Sequence, residues 1–325
     1  MGFPRANIID AGEVRIATYE RGAKDAPPVL LIHGWPEIAY SWKHQMGPLA
    51  DAGYRAIAMD VRGFGSSDAP MDVSAYGIEK LVGDIEGVLG ALGIREVVLC
   101  GHDWGGIIVW HAARMLENRV RGVISVCTPH MKHPPADPIA IFKNRHGDNH
   151  YFVAFQKDGP ETETAEAIFE KDPLAVFKML FRSTPPGAKL TSEMFYLVEH
   201  YKDYLAAGTP TLPGQVMSDE DLQVYAGAFT HSGFHGGVNL YRNTTHNWLH
   251  DAKLSDDIAQ PSLMISTADD LFLPPEHTKP MVDMIPDLER VTVPDCGHWA
   301  MWEQPDAINK HMIEWLERKM GLRYF

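Results

Sequence analysis

Cysteine is scarce: three residues, Cys100, Cys127 and Cys296, each lie in or beside an apolar stretch. An odd, sparse set of this kind excludes a disulfide framework and favours free buried thiols. Long hydrophobic runs are missing as well, and nothing approaches the ~20 apolar residues of a membrane span. Met1 leads almost directly into the strand-like Val14 to Tyr19 with no signal peptide in view, which favours a cytoplasmic location, and Ala6 stands where myristoylation needs Ser or Thr. Basic residues are in deficit, 29 Lys and Arg against 43 Asp and Glu for a formal charge of -14. With no basic cluster either, nucleic acid and an anionic membrane surface are poor partners, while a neutral small molecule is unaffected. What remains is ordinary globular material, 45% apolar and 22% charged over 325 residues. That length accommodates one α/β domain of ~250 residues with a sizeable insertion.

Short apolar runs ending in polar, chemistry-bearing residues alternate with helical patterns. Val29 to Ile32 leads to His33, Ala56 to Met59 to Asp60, Val97 to Cys100 to a glycine-rich turn, and Val123 to Val126 to Thr128 and Pro129. Later, Leu263 to Ser266 leads to Asp269 and Asp270, and Val291 to Val293 to Gly297 and His298. Continuous apolar character suits strands covered on both faces. Ile78, Leu81, Val82, Ile85, Val88, Leu89 and Leu92 recur at helical spacing with Gly93 as the stop, and Pro305 opens a last helix that buries Ile308, Met312, Ile313 and Leu316. The pattern predicts an α/β fold with a mostly parallel, doubly wound sheet and its active residues at the carboxyl ends of the strands. From about His133 to His250 the alternation stops and aromatic, Met-rich helical segments take over, including Ala165 to Phe181 and Ser192 to Leu205. We expect a core of residues 1–132 and 251–325 and an inserted helical cap of 133–250 that excludes water from a site beneath it.

The turn after Glu96 to Cys100 reads Gly101-His102-Asp103-Trp104-Gly105-Gly106. A strand-to-helix elbow needs small residues where the chain closes on itself and strains its central residue, here a carboxylate. A helix following from Ile107 through Leu116 would aim its positive end at the turn and keep Asp103 ionised. A serine elbow, G-x-S-x-G, occurs nowhere in the chain.

Two other segments converge on that turn. In His33-Gly34-Trp35-Pro36-Glu37 a tight turn can aim the Trp35 N–H at the point faced by the Trp104 N–H, and two such donors make an oxyanion hole. Asp295-Cys296-Gly297-His298-Trp299 follows the last strand and supplies a base, since the free pKa of His, ~6.5, suits it to activating water. The acid that orients it belongs after the preceding strand, where Thr267-Ala268-Asp269-Asp270 offers Asp270, with Asp269 in reserve. One of the two is expected to cap the next helix. The stretch after the sixth strand, Cys127-Thr128-Pro129, holds no carboxylate.

The motifs HGWPE, DVRGFGSSD, GHDWGG and DCGHW, in this order over nearly the whole chain, resemble those of the α/β-hydrolase superfamily, in its aspartate-nucleophile branch of epoxide hydrolases and haloalkane dehalogenases. His150-Tyr151-Phe152-Val153-Ala154-Phe155-Gln156 is similar to the epoxide hydrolase cap stretch that carries a ring-opening tyrosine, and Val238-Asn239-Leu240-Tyr241-Arg242-Asn243 to the N-x-Y-R-N motif that carries the other. The resemblance implies Asp103 as nucleophile, His298 with Asp270 as the water-activating pair, and Tyr151 and Tyr241 as donors to the opening epoxide oxygen. Trp35, Trp104 and Phe155 would line an apolar substrate site. It further implies a hydrophobic epoxide and water as the small-molecule partners, and no metal or organic cofactor. The Asn that haloalkane dehalogenases place at Trp35 is missing, as are the arginines that fluoroacetate dehalogenases carry after the nucleophile, where Trp104 and Ile107 stand. Lys157-Asp158-Gly159-Pro160 departs from the usual Pro-Gly order of the cap loop. A haloalkane dehalogenase with the same Asp, His and acid, and a hydrolase-fold scaffold without catalysis, are the alternatives. A homodimer is compatible with the sequence, which does not decide oligomeric state.

Two further signals carry less. His130, His133, His146 and His150 crowd the cap entrance without zinc-site spacing. Gly63-Phe64-Gly65-Ser66-Ser67 starts like a dinucleotide fingerprint but lacks the third Gly, and the resemblance makes this loop structural.

Overall fold

A computed structural model of the chain describes residues 2–159 and 163–321. Eight strands form one sheet: β1 (Asn7–Asp10), β2 (Arg15–Arg21), β3 (Pro28–Ile32), β4 (Arg55–Met59), β5 (Val97–His102), β6 (Val120–Val126), β7 (Ser262–Thr267) and β8 (Leu288–Val293). Their order is β1-β2-β4-β3-β5-β6-β7-β8, antiparallel at β1–β2 and β2–β4 and parallel elsewhere. The central β3, β4, β5 and β7 are buried almost end to end and mostly apolar because they are covered on both faces. β8 closes one edge and buries only Val293, so its Val291 belongs to a half-exposed strand rather than a covered one. β1, at the other edge, is four residues long and too polar to announce itself.

The chain passes from β3 outward to β4 in one direction and to β5 in the other, so β3 and β5 are neighbours on either side of the switch in winding. A crevice opens at such a point, outside the carboxyl ends of the strands. The loops that follow β3 and β5 are those that carry Trp35 and Asp103.

Helices α1 (Met46–Asp51), α2 (Ile78–Ala91) and α3 (Trp104–Met115) precede β6. α2 buries Ile78, Leu81, Val82, Ile85, Val88 and Leu89 and stops at Gly93, whose φ of 67° suits a residue without Cβ. α3 starts at Trp104, earlier than the expected Ile107, because the chain turns into the helix directly at the strained Asp103. Between β6 and β7 the described elements are helical: α4 (Pro138–His146), α5 (Tyr151–Ala154), α6 (Ala165–Phe169), α7 (Pro173–Leu180), α8 (Leu197–Ala206), α9 (Asp219–Ser232), α10 (His235–Arg242) and α11 (Thr244–Asp251), with a 3-10 turn at Ser192–Phe195. The segment read as continuous from Ala165 to Phe181 is split, since the Asp172 carboxylate caps a new helix on the Ala175 N–H and Pro173 takes its first position. Ser192 to Leu205 divides likewise into the 3-10 turn and α8. Pro160 of the atypical loop lies outside the described residues.

The helical layer enters and leaves the sheet region at one place. His133 Nδ1 lies 3.4 Å from Asp251 Oδ2, and Asp251 Oδ1 accepts from Arg114 Nη2 of α3 at 2.6 Å. On the far side, Asp221 of α9 accepts from Tyr40 Oη at 2.7 Å and Lys43 Nζ at 2.6 Å. The last helices, α12 (Ala300–Glu303) and α13 (Pro305–Lys319), follow β8. α13 buries Ile308, Met312, Trp315 and Leu316, while Ile313, expected in the core, is only half-buried on its flank. All three cysteines are buried and unpaired. Among the described residues no helix is long and apolar enough to cross a membrane.

Candidate active site

Asp103 adopts φ 51° and ψ -119°, a conformation that costs a non-glycine residue on the order of 1–3 kcal/mol and persists only where its surroundings impose it. They do so by close approach. A Cβ on Gly101 would sit 2.1 Å from the Gly105 carbonyl oxygen, and one on Gly34 would sit 2.4 Å from Asp103 Cβ. The turn is closed by Gly106 N–H donating to the Asp103 carbonyl at 2.9 Å and by Thr128 Oγ1 donating to the same oxygen at 2.8 Å.

The Asp103 carboxylate therefore stands at the positive end of α3 with the β3 loop against it. Trp35 N–H donates to Oδ1 at 2.7 Å, and the neighbouring Trp104 amide also favours the charged carboxylate. Burial pushes the Asp103 carboxyl up, whereas His298, His102 and these two amides favour its charged form.

Beneath the turn lies a pair that sequence reasoning left without a role. His102 Nδ1 is 2.7 Å from Glu37 Oε2 and its Nε2 is 2.8 Å from the His298 carbonyl oxygen. Both partners are pure acceptors, so both ring nitrogens carry hydrogen and the ring is an imidazolium. Burial opposes that charge, yet Glu37, Asp103 and the His298 carbonyl raise His102 to about 9, and Glu37, against its own burial, is held at about 2. Glu37 Oε2 also accepts from Gly34 N–H at 2.8 Å. One carboxylate and one imidazolium thus tie together the β3 loop, the elbow and the loop that holds His298.

His298 donates from Nδ1 to Asp270 Oδ2 at 2.8 Å and places Nε2 3.7 Å from Asp103 Oδ2. Burial works against its protonation, but Asp270 raises the ring to about 9. Asp270 is buried, and its second oxygen accepts from the Phe272 and Leu273 amides, each at 3.0 Å. Asp269 is exposed and contributes only its amide, to the Cys296 carbonyl at 2.9 Å. Neither caps the next helix as expected: Pro274 precedes the 3-10 helix Pro275–Asp283, and Asp270 caps the turn before it.

Across the crevice, Tyr151 opens α5 and Tyr241 lies in α10, their rings 5.4 Å apart at 72°. The Tyr241 ring meets Trp35 edge-on at 5.6 Å and Trp104 at 5.1 Å, above the two residues whose amides face the Asp103 carboxylate. Burial raises both phenols above their usual range, joined by Asp103 for Tyr151 and by Tyr151 and then Asp103 for Tyr241, so each keeps its proton.

This arrangement has close counterparts. Residues 27–154 and 231–305 match the family model for the alpha/beta hydrolase fold. Epoxide hydrolase A of Mycobacterium tuberculosis is 35% identical over 324 residues, covering 97% of this chain and 98% of that one. The chain belongs to the α/β-hydrolase family, in its epoxide hydrolase branch. Bifunctional epoxide hydrolase 2 of Sus scrofa is 38% identical over 310 residues, 94% of this chain and 53% of that protein, so the chain spans about half the length of this mammalian relative. Among solved structures, epoxide hydrolase A from Mycobacterium thermoresistibile superposes with a TM-score of 0.84 at 29% identity, covering 97% of this chain and 98% of the other.

Membership of the epoxide hydrolase branch makes sense of residues around the tyrosines. Gln156 Nε2 donates to the Tyr241 and Phe152 carbonyls, both at 2.9 Å, joining the two tyrosine-bearing segments. Arg242 bonds Glu166, Asn239 Oδ1 and the Phe155 carbonyl, and Asn243 Nδ2 donates to the Val73 carbonyl at 2.7 Å. The polar letters of N-x-Y-R-N are thus props that aim Tyr241. Phe155 has no exposed surface and packs behind Trp35 at 5.4 Å and Tyr241 at 5.1 Å, a backing to the expected wall rather than its face. The cap-entrance histidines have separate partners, His130 the Asp256 carbonyl, His133 Asp251 and His146 Ser192, while His150 stacks on Phe142. Asp60 knits its loop by accepting from Ala39 N–H at 2.8 Å, Ser66 N–H at 2.9 Å and Tyr19 Oη at 2.9 Å, a structural role.

Proposed function

We propose that this protein hydrolyses a hydrophobic epoxide to a vicinal diol through an ester on Asp103. The observation that carries the reading is the placement of one carboxylate between two amides and two protonated phenols, with a His–Asp pair at its side. Trp35 N–H holds Oδ1, which leaves Oδ2 as the attacking oxygen. Its lone pair forms a bond to a ring carbon, the carbon–oxygen bond of the epoxide breaks, and the resulting alkoxide takes a proton from Tyr151 or Tyr241. His298, oriented by Asp270, then removes a proton from water, and the hydroxide adds to Cγ of Asp103. The tetrahedral oxyanion lies on the Trp35 and Trp104 amides until the ester bond to Oδ2 breaks, when the leaving diol oxygen takes the proton that His298 removed from water and Asp103 is again a carboxylate.

The charges order the two steps. In the resting site the His298 ring is an imidazolium beside the negative Asp103, 3.7 Å away, an attraction of about 4 kcal/mol for an effective dielectric of about 20. Esterification removes the Asp103 charge and weakens the hold of the ring on its proton, which passes to the phenolate left by ring opening and so frees the base when water must be activated.

The same reading makes residues 1–132 and 251–325 the catalytic core and 133–250 a cap over the strand ends that brings the two phenols. Aromatic walls and the absence of a cationic anchor beside Asp103 among the described residues, apart from the histidines, favour an apolar, uncharged epoxide. A single turnover in oxygen-18 water, followed by mass spectrometry of the Asp103 peptide, tests the chemistry. The first diol carries enzyme oxygen and the peptide gains label; label in the first diol with none in Asp103 refutes the ester.

A further inference from the structure

Four groups hold His298, among them Cys127 Sγ at 3.5 Å from its carbonyl oxygen, and only one of the four is its triad partner. Asp270 takes the ring and His102 takes the carbonyl. The amides on either side of the residue both go to a single carboxylate: Gly297 N–H donates to Glu303 Oε2 at 3.0 Å, and Trp299 N–H donates to Glu303 Oε1 at 3.0 Å. Glu303 ends the short helix α12, for which Trp299 is the N-cap. A helical Glu that reaches back to the amide of its own N-cap is a familiar way to close a helix start. Here the second oxygen does something that closing the helix does not require, because it binds the amide on the far side of the histidine. The segment Gly297-His298-Trp299 is thereby clasped at both ends.

We infer that Glu303 is a positioning residue for the water-activating histidine, setting the backbone of His298 and so the direction of Nε2, as Asp270 sets the ring. The inference rests on the reading of Asp103 and His298 given above. Alkylation by Asp103 makes no use of the direction of Nε2, whereas attack of water on the ester depends on it. A clasp on the His298 backbone is therefore felt in the second step and not in the first. Glu303 also adds charge. The groups facing the His298 ring are Asp270 from the β7 loop, His102 and Asp103 from the end of β5, Cys127 from the end of β6, and Glu303 from α12. Burial lifts the Glu303 carboxyl above its ordinary value while the Gly297 and Trp299 amides and His298 act against that lift. As an anion beside an imidazolium it favours the protonated ring, so its removal lets His298 lose its proton at lower pH.

The test separates the two steps in the full-length protein, with styrene oxide as the probe under single-turnover conditions. Tryptophan fluorescence follows alkylation and the mass of the Asp103 peptide follows the ester. For Glu303→Gln, which keeps the size of the side chain and sets an NH2 against one amide, alkylation stays near the wild-type rate. Hydrolysis slows by about tenfold to about a hundredfold, the scale of a small misplacement of a reacting group. The ester accumulates, and the pH midpoint of hydrolysis moves down. Glu303→Asp retains the charge but is too short for both amides, so hydrolysis slows while the midpoint stays. It decides the matter alone if the Gln variant does not fold. A purely structural role lowers both steps together through loss of folded protein, and an unchanged ratio of hydrolysis to alkylation in the folded variants overturns the inference. A wild-type protein that never forms the ester fails at Asp103 instead, which is a failure of the proposed chemistry and is seen before any Glu303 variant is made.

Discussion

Glu37 and His102 carry opposite charges with no exposed surface, and their pH behaviour follows from that. Glu37 is depressed from 4.5 to about 2, so its contribution to stability is present above 4.5 and is lost as pH falls toward 2. His102 is raised from 6.5 to about 9, so its contribution is complete below 6.5 and is lost as pH rises through 9. Both are in force between those limits. Glu37→Gln leaves a buried imidazolium without its counter-charge, a change that costs roughly 3–5 kcal/mol. Thermal melts of the wild type and the variant should differ most at about pH 5.5 and converge toward about pH 10 as the ring gives up its proton. A gap that stays constant across that range removes the ion pair from the account. At this scale the sequence was legible wherever one residue's chemistry speaks for itself, as with Asp103 in a glycine turn or His298 after a strand. It was silent on Glu37 and Glu303, because a carboxylate that holds amides or a distant histidine is defined by its partners. His102 meets the His298 carbonyl only through the packing of two strand ends far apart in the chain.

Elements were legible where burial is symmetric. The inner strands and α2 stand where their apolar spacing puts them, because each is covered as that spacing requires. Edge strands escape this logic: β1 is short and mostly exposed, and β8 buries one residue. The helical layer misled for a different reason, since aromatic richness there serves contacts between short helices rather than one face of a long helix, and Asp172-Pro173 interrupts what composition joins. These short helices matter for chemistry, because α5 and α10 each deliver one phenol to the same point from different parts of the chain. Replacing either Tyr151 or Tyr241 by Phe leaves the other to donate, and replacing both removes general acid assistance altogether. Alkylation in the double variant should fall by on the order of 10²–10⁴, more than in either single variant, as measured by pre-steady-state burst kinetics. Ring opening at the wild-type rate in the double variant would dismiss the phenols and the choice of an epoxide with them.

For the whole molecule, a formal charge of -14 sets a field that a neutral substrate does not feel. The kcat/KM for an uncharged epoxide should hold within about twofold as salt is raised until the Debye length falls from about 30 Å to about 3 Å. An epoxide bearing a carboxylate is repelled at low salt and should gain as the field is screened. Faster turnover of that anion at low salt would point to a cationic entrance not seen among the described residues.

Since His133, Asp251 and Arg114 clasp the incoming and outgoing chain of the helical layer together, changes in the middle of that layer need not alter how β6 and β7 lie side by side. Evolution, or an engineer, can reshape this roof for a new molecule, provided that the two phenols it lowers onto Asp103 stay where they are.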